Sequence, residues 1–271
     1  MGKINSYYNK LLKKIAYYTS IERREITRIK KISRYQTGNS KIFGFEFTFI
    51  DSASFIGQYV EIFLKKVYNF NSENKQPYIV DCGANVGVSI LFFKKIFPAA
   101  QIIGFEADKN VFSVLKKNIE NSALKEITVI NKGVWNKEGK MLFHQEGADG
   151  GNIKDDNDNE KLNGNYFEIE TTSLRPYLSK KVDFLKIDIE GAESTVLADC
   201  NDLLKNVERI FIEYHSTINS EQQLDSILST LTKNGFRYYI QSETLFNEEP
   251  FLKRKTINNY DNLICIYCYR K

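Results

Sequence analysis

The sequence predicts an α/β fold in which a largely parallel sheet is covered by helices on both faces. Short apolar strands alternate with helical patterns from residue 42 to about residue 235, as in sheets with crossover helices. The chain then ends in two consecutive strands with no helix between them, which we expect to pair antiparallel. A length of 271 residues suits one such domain with a short extension, since the sequence contains no internal repeat.

The first two predicted elements form an extension that precedes the sheet. Apolar and polar residues alternate in KIFGFEFTFI, which predicts a strand of a small hairpin. A helix is predicted over residues 55–70, because five apolar residues fall on one side of it: Tyr59, Ile62, Phe63, Val67 and Phe70.

The sheet and its helices follow in regular order. The first half predicts a strand at 78–81, a helix at 87–97 stopped by Pro98, a strand in QIIGFEA, a helix at about 109–121, and strands in ITVINKGVW and KMLFHQ. Residues 146–165 are rich in Gly, Asn and Asp without periodicity, so they predict a loop. The second half predicts a strand in VDFLKID, a helix at about 191–204, a strand in RIFIEYH, a helix closed by Gly235, and strands in FRYYIQS and NLICIYCYR.

The composition excludes several classes of protein. Hydrophobic residues make up 42% and charged residues 27% of the chain, as in globular proteins. No apolar run approaches the ~18–20 residues that span a bilayer, and the N-terminus lacks a signal-peptide pattern, so we expect a cytoplasmic protein. Cys265 and Cys268 lie in an alternating strand, where they point to opposite faces and predict core or surface thiols rather than a metal site.

Residues 1–41 form a predicted basic helical arm, and residues 42–271 form the main domain. The arm holds eleven Lys and Arg residues against two Glu, a net charge of +9; since the whole chain carries +4, the main domain carries −5. Apolar residues of the arm recur at helical spacing beside lysines: Ile4, Tyr8, Leu11, Leu12 and Ile15. Such a helix suits peripheral contact with an anionic membrane or polyanion, and it equally suits packing on its own domain or self-association.

The first strand of the sheet ends in Asp81, and the loop CGANVG follows. In open α/β sheets, ligands bind beyond the carboxyl ends of the strands where the strand order reverses, so this loop is the predicted cofactor site. The loop lacks the G-x-G-x-x-G spacing of dinucleotide loops, and Asp81 would repel a phosphate. A carboxylate suits a ligand with an ammonium group, such as the methionine half of S-adenosylmethionine. The predicted contacts are Asp81, Gly83, Ala84, Asn85 and Gly87, of which the glycines and Asn85 tolerate unusual backbone conformations.

A second acid ends the next strand, one βα unit further along the chain. Glu106 follows QIIGF, and an acid in this place can accept hydrogen bonds from both hydroxyls of a ribose. Adenine is then expected at the end of the third strand, where Val134 or Trp135 can cover the ring. A helix cap and a surface glutamate are the non-functional alternative, but the two acids together favour a nucleoside cofactor.

These residues resemble the FkbM family of methyltransferases. The resemblance runs from about Tyr59 to His215 and is carried by IVDCGANVGVSILFF, FPAAQIIGFEAD, ITVINKGVWNKEGKMLF, TTSLRPYL, VDFLKIDIEGAES and RIFIEYHS. It implies a Rossmann-like class I methyltransferase fold: a mostly parallel seven-stranded sheet with an antiparallel C-terminal strand, here preceded by a helical and hairpin extension. It also implies O-methylation by S-adenosylmethionine, often of sugars in glycans or of natural products. The sequence departs from the family where Ala107 replaces a frequent proline, and in the long polar loop at 146–165.

The methyl acceptor is expected beyond the fourth and fifth strands, where five ionisable residues cluster: Asp188, Glu190, Glu193, Glu213 and His215. The cofactor supplies the reactive methyl group, so the protein aligns the acceptor oxygen and removes its proton. We predict His215, Asp188 and Glu190 as catalytic residues, with His215 best suited as general base because its ordinary pKa lies near neutrality. The alternatives are a structural hydrogen bond for His215, a helix cap for Asp188, and ordering of the turn by Glu190 and Glu193.

The expected acceptor is a hydroxyl of a saccharide or glycolipid, as in surface-glycan assembly. A natural product or other small molecule is the alternative, and RNA is weaker because the main domain is acidic and carries no recognisable RNA-binding module. A cofactor-binding scaffold without catalysis is a third class, which the strand-end acids argue against. We expect no nucleic acid partner and no metal, although Asp188 and Glu213 offer oxygen ligands for Mg²⁺.

Overall fold

The computed structural model of the protein describes residues 20–145, 151–154, 165–218, 220–242, 251–252 and 260–270. The apolar stripe predicted for the arm, between Ile4 and Ile15, lies outside the described residues, as does most of the predicted loop at 146–165. Within the described residues, no helix is long and apolar enough to cross a bilayer.

The N-terminal extension packs against the sheet domain. Its elements are α1 (Ser20–Ile29), β1 (Gly38–Ser40), β2 (Phe47–Phe49), α2 (Ser52–Gln58) and a π-helical turn (Tyr59–Leu64) that continues α2. The pairing of β1 with β2 is antiparallel, which confirms the predicted hairpin with shorter strands. The helix predicted at 55–70 begins earlier because Asp51 caps α2, and the turn that continues it stops at Leu64. Ile26 and Ile29 of α1 are buried, so the described end of the arm belongs to the core.

The main domain contains eleven further strands among the described residues. In chain order they are β3 (Tyr78–Cys82), β4 (Gln101–Phe105), β5 (Ile127–Ile130), β6 (Gly133–Trp135), β7 (Gly139–Gln145), β8 (Gly151–Lys154), β9 (Asn165–Ser173), β10 (Phe184–Ile187), β11 (Arg209–Thr217), β12 (Arg237–Ser242) and β13 (Tyr260–Tyr269). The α-helices that accompany them are α3 (Val88–Ile96), α4 (Lys109–Ser122), α5 (Glu193–Asp199) and α6 (Leu224–Lys233).

Seven strands form the main sheet in the order β12-β13-β11-β10-β3-β4-β5. The strands from β11 to β5 pair parallel, and β13 pairs antiparallel with both β11 and β12. Counted along the chain, the order is therefore 3-2-1-4-5-7-6 with the last strand reversed. This arrangement confirms the predicted fold class, and it places the reversal of strand order between β3 and β10.

A second sheet has the order β6-β9-β7-β8. The segment ITVINKGVW, predicted as a strand region, is divided between the two sheets, because β5 pairs with β4 and β6 pairs with β9. The prediction of a loop at 146–165 is wrong for the residues of this segment that the structure describes. There, β8 pairs antiparallel with β7, and β9 begins at Asn165. Four residues are too few to show a period-2 pattern, so β8 gives no strand signal in the sequence.

The core lies on both faces of the main sheet. Ile79 of β3 packs on one face and Val80 on the other, as expected of a central parallel strand. Cys265 and Cys268 likewise lie on opposite faces of the sheet as buried residues, which confirms the predicted placement. The helix predicted at 191–204 ends as α5 at Asp199 and gives way to a 3₁₀ turn (Asn201–Asn206). Gly235, with a φ angle of +77°, closes the segment after α6 as predicted.

Candidate active site

A cavity of about 420 Å³ lies at the carboxyl ends of β3, β4, β10 and β11. The loop after β3 and the ends of β4 and β6 form one side of its wall, which we call the cofactor side. The ends of β10 and β11 and Tyr260 of β13 form the acceptor side, and residues of the N-terminal extension, β7 and β8 also contribute to the wall. The cavity therefore lies where the strand order reverses, as expected for a ligand site in an open α/β sheet.

The cofactor loop is held by backbone hydrogen bonds to β4. The N–H groups of Gly83 and Ala84 both donate to the carbonyl oxygen of Phe105, at 3.0 and 2.8 Å. Gly83 has a φ angle of +80°, and a Cβ atom there would lie 1.9 Å from the carbonyl oxygen of Asp188. Asn85, with a φ angle of +50°, is also left-handed. Only glycine can occupy position 83, because the loop passes directly against the end of β10.

Glu106 lines the cavity at the end of β4. Its two carboxylate oxygens accept hydrogen bonds from the N–H groups of Asn85 and Asp108, at 3.0 and 2.9 Å. Burial raises the pKa of Glu106 to about 8, although these two N–H groups act in the opposite direction. Each oxygen keeps a lone pair for a ligand. The geometry suits the predicted bonds to ribose hydroxyls, which stay a prediction.

Ala84 and Val134 are buried and line the same cavity as Glu106, so they offer an apolar surface for a flat ring. Phe143 of β7 and Ile153 of β8 extend this surface. Sequence reasoning missed both, because the pattern did not show that β7 and β8 border the same cavity as the cofactor loop. Adenine binding at Val134 stays a prediction.

Asp81 and Gly87 lie behind the loop. The fully buried Asp81 carboxylate accepts a hydrogen bond from Ser89 Oγ at 2.5 Å and lies 3.3 Å from Lys186 Nζ. Its predicted contact with a ligand ammonium does not fit this arrangement, because an internal ammonium already occupies that place. Gly87 starts α3 with a φ angle of +100°, and a Cβ atom there would meet Leu115 at 2.9 Å. Both residues therefore shape the loop from below.

Lys186 is a buried lysine of the cavity wall that sequence reasoning also missed. Its side chain is 3% exposed, and Nζ donates to the carbonyl oxygen of Gly83 at 2.8 Å while lying 3.1 Å from Asp188 Oδ2. Burial lowers the pKa of Lys186, but the carboxylates of Asp188 and Asp81 outweigh burial and raise it above its ordinary value. The sequence did contain one indication of this role. Lys186 lies within the apolar strand VDFLKID, and a charge in a buried strand needs a partner.

His215 lies between two carboxylates. Nδ1 is 3.1 Å from Glu193 Oε1, and Nε2 is 3.3 Å from Glu190 Oε2, which also accepts a hydrogen bond from the Tyr260 hydroxyl at 2.8 Å. Burial lowers the pKa of His215, but the two glutamates outweigh burial and raise it well above 6.5. A raised pKa favours the protonated ring, which has no free lone pair with which to accept a proton. The role of His215 as general base stays a prediction.

The turn after β10 is ordered by Glu193, one of the alternatives weighed from the sequence. Its Oε1 accepts a hydrogen bond from the N–H of Gly191 at 3.0 Å. Glu190 adopts a left-handed φ angle of +55°, which directs the chain into this turn. The N-cap of α5 is Ala192 and has no side-chain hydrogen bond, so the alternative of a cap by Asp188 is not observed. Asp188 instead lines the cavity with a side chain that is 26% exposed.

Three side chains of the acceptor side could hold a cation. Among the described residues, ligand atoms of Asp188, Glu190 and His215 lie within 4.8 Å of one another. This set differs from the predicted pair, Asp188 and Glu213. Burial and the nearby Asp188 raise the pKa of Glu213 to about 8. The ammonium of Lys186 already neutralises Asp188, and the expectation of no metal stays a prediction.

Class I methyltransferases have a sheet with this strand order. At the point where the order reverses, they carry a glycine-containing loop that follows an acidic residue. The pattern described as "Methyltransferase FkbM domain" matches residues 81–238, more than half of the chain. The chain therefore belongs to the FkbM methyltransferase family, and it is an S-adenosylmethionine-dependent methyltransferase.

Several known proteins are similar to this chain. Methyltransferase sdnD of Sordaria araneosa is 28% identical over 55% of this chain and 71% of its own length. The 2-O-methyltransferase NoeI of Sinorhizobium fredii is 25% identical over 56% of this chain and 69% of its own length. Among solved structures, methyltransferase FkbM of Methylobacillus flagellatus KT is 15% identical with a TM-score of 0.49, covering 74% of this chain and 45% of its own.

Proposed function

We propose that the protein transfers the methyl group of S-adenosylmethionine to a hydroxyl oxygen of a saccharide or glycolipid. The observation that carries the proposal is the single cavity shared by the glycine loop, Glu106 and the acids at the ends of β10 and β11. A cofactor on the loop and an acceptor beside those acids would meet within one cavity. The similar protein NoeI is named a 2-O-methyltransferase, which supports oxygen as the accepting atom.

Carboxylates of the cavity suit both the cofactor and the reaction. S-adenosylmethionine carries a positive sulfonium, and Asp188 and Glu190 line the cavity that would receive it. In the reaction, the acceptor oxygen forms a bond to the methyl carbon while the bond from carbon to sulfur breaks. The sulfur becomes neutral, and the hydroxyl proton must leave. A carboxylate beside the hydroxyl can take that proton.

Asp188 is the proposed base. It is partly exposed to the cavity, and Lys186 holds its carboxylate at the end of β10. Glu190 is the second candidate, held from two sides by the Tyr260 hydroxyl and the His215 ring. His215 then serves to position Glu190 rather than to accept the proton. A pyranose acceptor would present neighbouring hydroxyls to this row of carboxylates.

The basic face of α1 supports a second part of the proposal, a peripheral contact with anionic lipid. Ile26 and Ile29 on the inner face of α1 are buried, whereas Arg23 and Arg24 on the outer face are exposed. Each lysine or arginine near an anionic membrane contributes ~1 kcal/mol, screened by salt. Self-association through the same face is the alternative.

Two experiments test the proposal. Calorimetry with S-adenosylmethionine, S-adenosylhomocysteine and NAD should show binding of the two sulfur ligands, and tight NAD binding alone would overturn it. Methyl transfer from labelled cofactor should then be measured on methyl glycosides, a set of natural-product phenols and RNA. If phenols or RNA become labelled and glycosides do not, the protein is still a methyltransferase, but the proposed saccharide acceptor is rejected.

Sedimentation with vesicles of anionic and of neutral lipid tests the contact of α1. We expect binding to anionic vesicles at low salt, weakened in Arg23→Gln/Arg24→Gln and unchanged in Lys116→Gln/Lys117→Gln, which alters exposed lysines of α4. Equal binding of both double variants would reject the proposed face. A concentration-dependent change in mass without vesicle binding would favour self-association.

A further inference from the structure

Tyr35 is an exposed aromatic residue at the wall of the cavity. It lies in the N-terminal extension, lines the cavity together with Arg34, and is 62% exposed. The guanidinium carbon of Arg34 lies 4.9 Å from the centre of the Tyr35 ring. One face of the ring is therefore covered by a cation. Solvent reaches much of the remaining ring surface.

The backbone of Tyr35 is held in a conformation that tyrosine rarely adopts. Its φ angle is +62°, in the left-handed region that favours glycine. The N–H of Tyr35 and Nε of Arg34 both donate to Asp51 Oδ2, at 2.7 and 2.8 Å. Left-handed conformations of bulky residues persist where their surroundings over-determine them, and they cluster at ligand sites.

Asp51 connects this segment rigidly to the wall of the cavity. Its side chain is 0% exposed, and Oδ1 accepts hydrogen bonds from Ala53 and Ser54 at the start of α2. Ser54 and Gln58 of α2 line the same cavity. The carboxylate thus positions α2 and the Arg34–Tyr35 pair together. A tyrosine that served only as part of the solvent-exposed surface would not require a buried carboxylate to hold its backbone.

A second exposed tyrosine provides the comparison. Tyr239 is 61% exposed, almost the same as Tyr35, but it lies in the regular edge strand β12. Tyr35 differs by its left-handed backbone, its buried carboxylate support and its place on the cavity wall. These differences point to a ligand rather than to solvent exposure alone.

We propose that Tyr35 and Arg34 form an acceptor subsite in which the ring of Tyr35 stacks against the apolar C–H face of a pyranose and Arg34 donates hydrogen bonds to its hydroxyls. This subsite rests on the proposed saccharide acceptor. An aromatic ring presents a negative π face, which suits the weakly positive C–H groups of a sugar ring. A planar guanidinium with five donors suits neighbouring oxygens.

Saturation-transfer NMR on the full chain with S-adenosylhomocysteine present tests the subsite. The probes are a panel of methyl pyranosides and, as a control without a ring face, the acyclic polyol sorbitol. Tyr35→Ala should weaken pyranoside binding about tenfold, whereas Tyr35→Phe should keep it, because stacking needs only the ring. Tyr239→Ala is the matched control and should bind like the wild type. Affinity for S-adenosylhomocysteine and the melting temperature should stay unchanged in Tyr35→Ala.

The outcomes separate the subsite from the proposed function. Equal pyranoside binding by the wild type and Tyr35→Ala overturns the subsite and leaves the saccharide acceptor in place. Equal losses in Tyr35→Ala and Tyr239→Ala also overturn it, since stacking would not be specific to the cavity. Absence of pyranoside binding by the wild type rejects the saccharide acceptor and the subsite with it. If Tyr35→Ala unfolds, Tyr35→Leu supplies a folded variant without an aromatic ring.

Discussion

The cofactor side and the acceptor side of the cavity are held in place by different forces. On the cofactor side, backbone N–H groups of Gly83, Ala84 and Asn85 bind a carbonyl and a carboxylate at the end of β4. On the acceptor side, charged side chains hold one another: Lys186 with Asp188, and His215 with Glu190.

The difference has consequences for sensitivity to mutation and to pH. A loop held by backbone hydrogen bonds depends on the conformation of a few small residues. It is therefore most sensitive to substitutions that introduce a steric clash. A cluster of buried charges depends on the presence of every partner, because an unpaired buried charge is strongly destabilising. The expected effects below run from the largest to the smallest, and each one tests this contrast.

Gly83→Ala should be the most damaging change on the cofactor side. The new Cβ would lie 1.9 Å from the carbonyl oxygen of Asp188, at a φ angle of +80°. We expect a loss of about 4 kcal/mol in the free energy of unfolding, measured with urea, and loss of cofactor binding. The matched control is Gly44→Ala, which has a φ angle of +87° but no atom within 4 Å of the new Cβ. Equal losses in the two variants would contradict the steric explanation.

Lys186→Met should lower the free energy of unfolding by about 3–5 kcal/mol, because Asp188 on the acceptor side and the buried Asp81 behind the loop both lose the cation that faces them. The double variant Lys186→Met/Asp81→Asn also removes the unpaired charge of Asp81, so it should recover part of the lost stability. Unfolding in urea measures both. If single and double variants are equally unstable, the lysine contributes by packing and the ionic explanation is wrong.

Asp188→Asn should lower turnover by about 10², because the amide cannot take the proton. Affinity for S-adenosylhomocysteine, which lacks the sulfonium charge, should change less than threefold. His215→Asn should lower turnover less, since His215 positions Glu190 without accepting the proton. Turnover on an accepted substrate and calorimetry with S-adenosylhomocysteine measure the two effects. The surface variant Glu208→Gln, which alters a residue paired with Lys181, is the control. A larger loss in His215→Asn would return the role of base to the histidine.

Glu106→Ala should weaken S-adenosylhomocysteine binding by about 1–3 kcal/mol, because the ribose hydroxyls lose their buried hydrogen-bond partner. Turnover at saturating cofactor should change little, because Glu106 lies on the side away from the proposed base. Calorimetry and saturation kinetics distinguish the two parameters. An unchanged dissociation constant would remove Glu106 from the cofactor site.

Stability should fall as pH rises from about 5 to 8. The folded pKa of Glu106 is raised from 4.5 to about 8, so the folded protein holds a proton that the unfolded chain releases across this window. The protonated carboxyl therefore favours folding less at pH 8 than at pH 5. Glu106→Gln should flatten the dependence, with Glu213→Gln as the comparison on the acceptor side. An unchanged slope in both variants would contradict the raised pKa values.

The cofactor side was largely predictable. Strand β3, its acidic end, the glycine loop and Glu106 lie within one contiguous stretch, where local periodicity and residue type carry the information. The structure differs from the expectation at Asp81, which is buried 3.3 Å from Lys186 Nζ. Nothing in the loop itself shows that a lysine from a neighbouring strand fills the place where a ligand ammonium was expected.

The acceptor side was predictable only as a list of ionisable residues. Asp188, Glu190 and His215 do meet at one cavity, as expected from strand ends at one edge of a sheet. The protonation of His215 could not be predicted, because it depends on two glutamates that the turn after β10 brings beside the ring. Tyr35 was missed because it lies in the arm, far along the chain from the strands it faces.

The sequence by itself determined the alternation of strands and helices, the antiparallel end of the sheet, the cofactor loop and the family. These are local properties, set by periodicity, glycine conformations and residues close together in the chain. Only the tertiary structure decided which charges pair, which histidine nitrogen faces which glutamate, and that Tyr35 borders the active site. Those outcomes depend on distances of a few ångströms between residues far apart in sequence, and electrostatic energies and pKa values vary steeply over such distances.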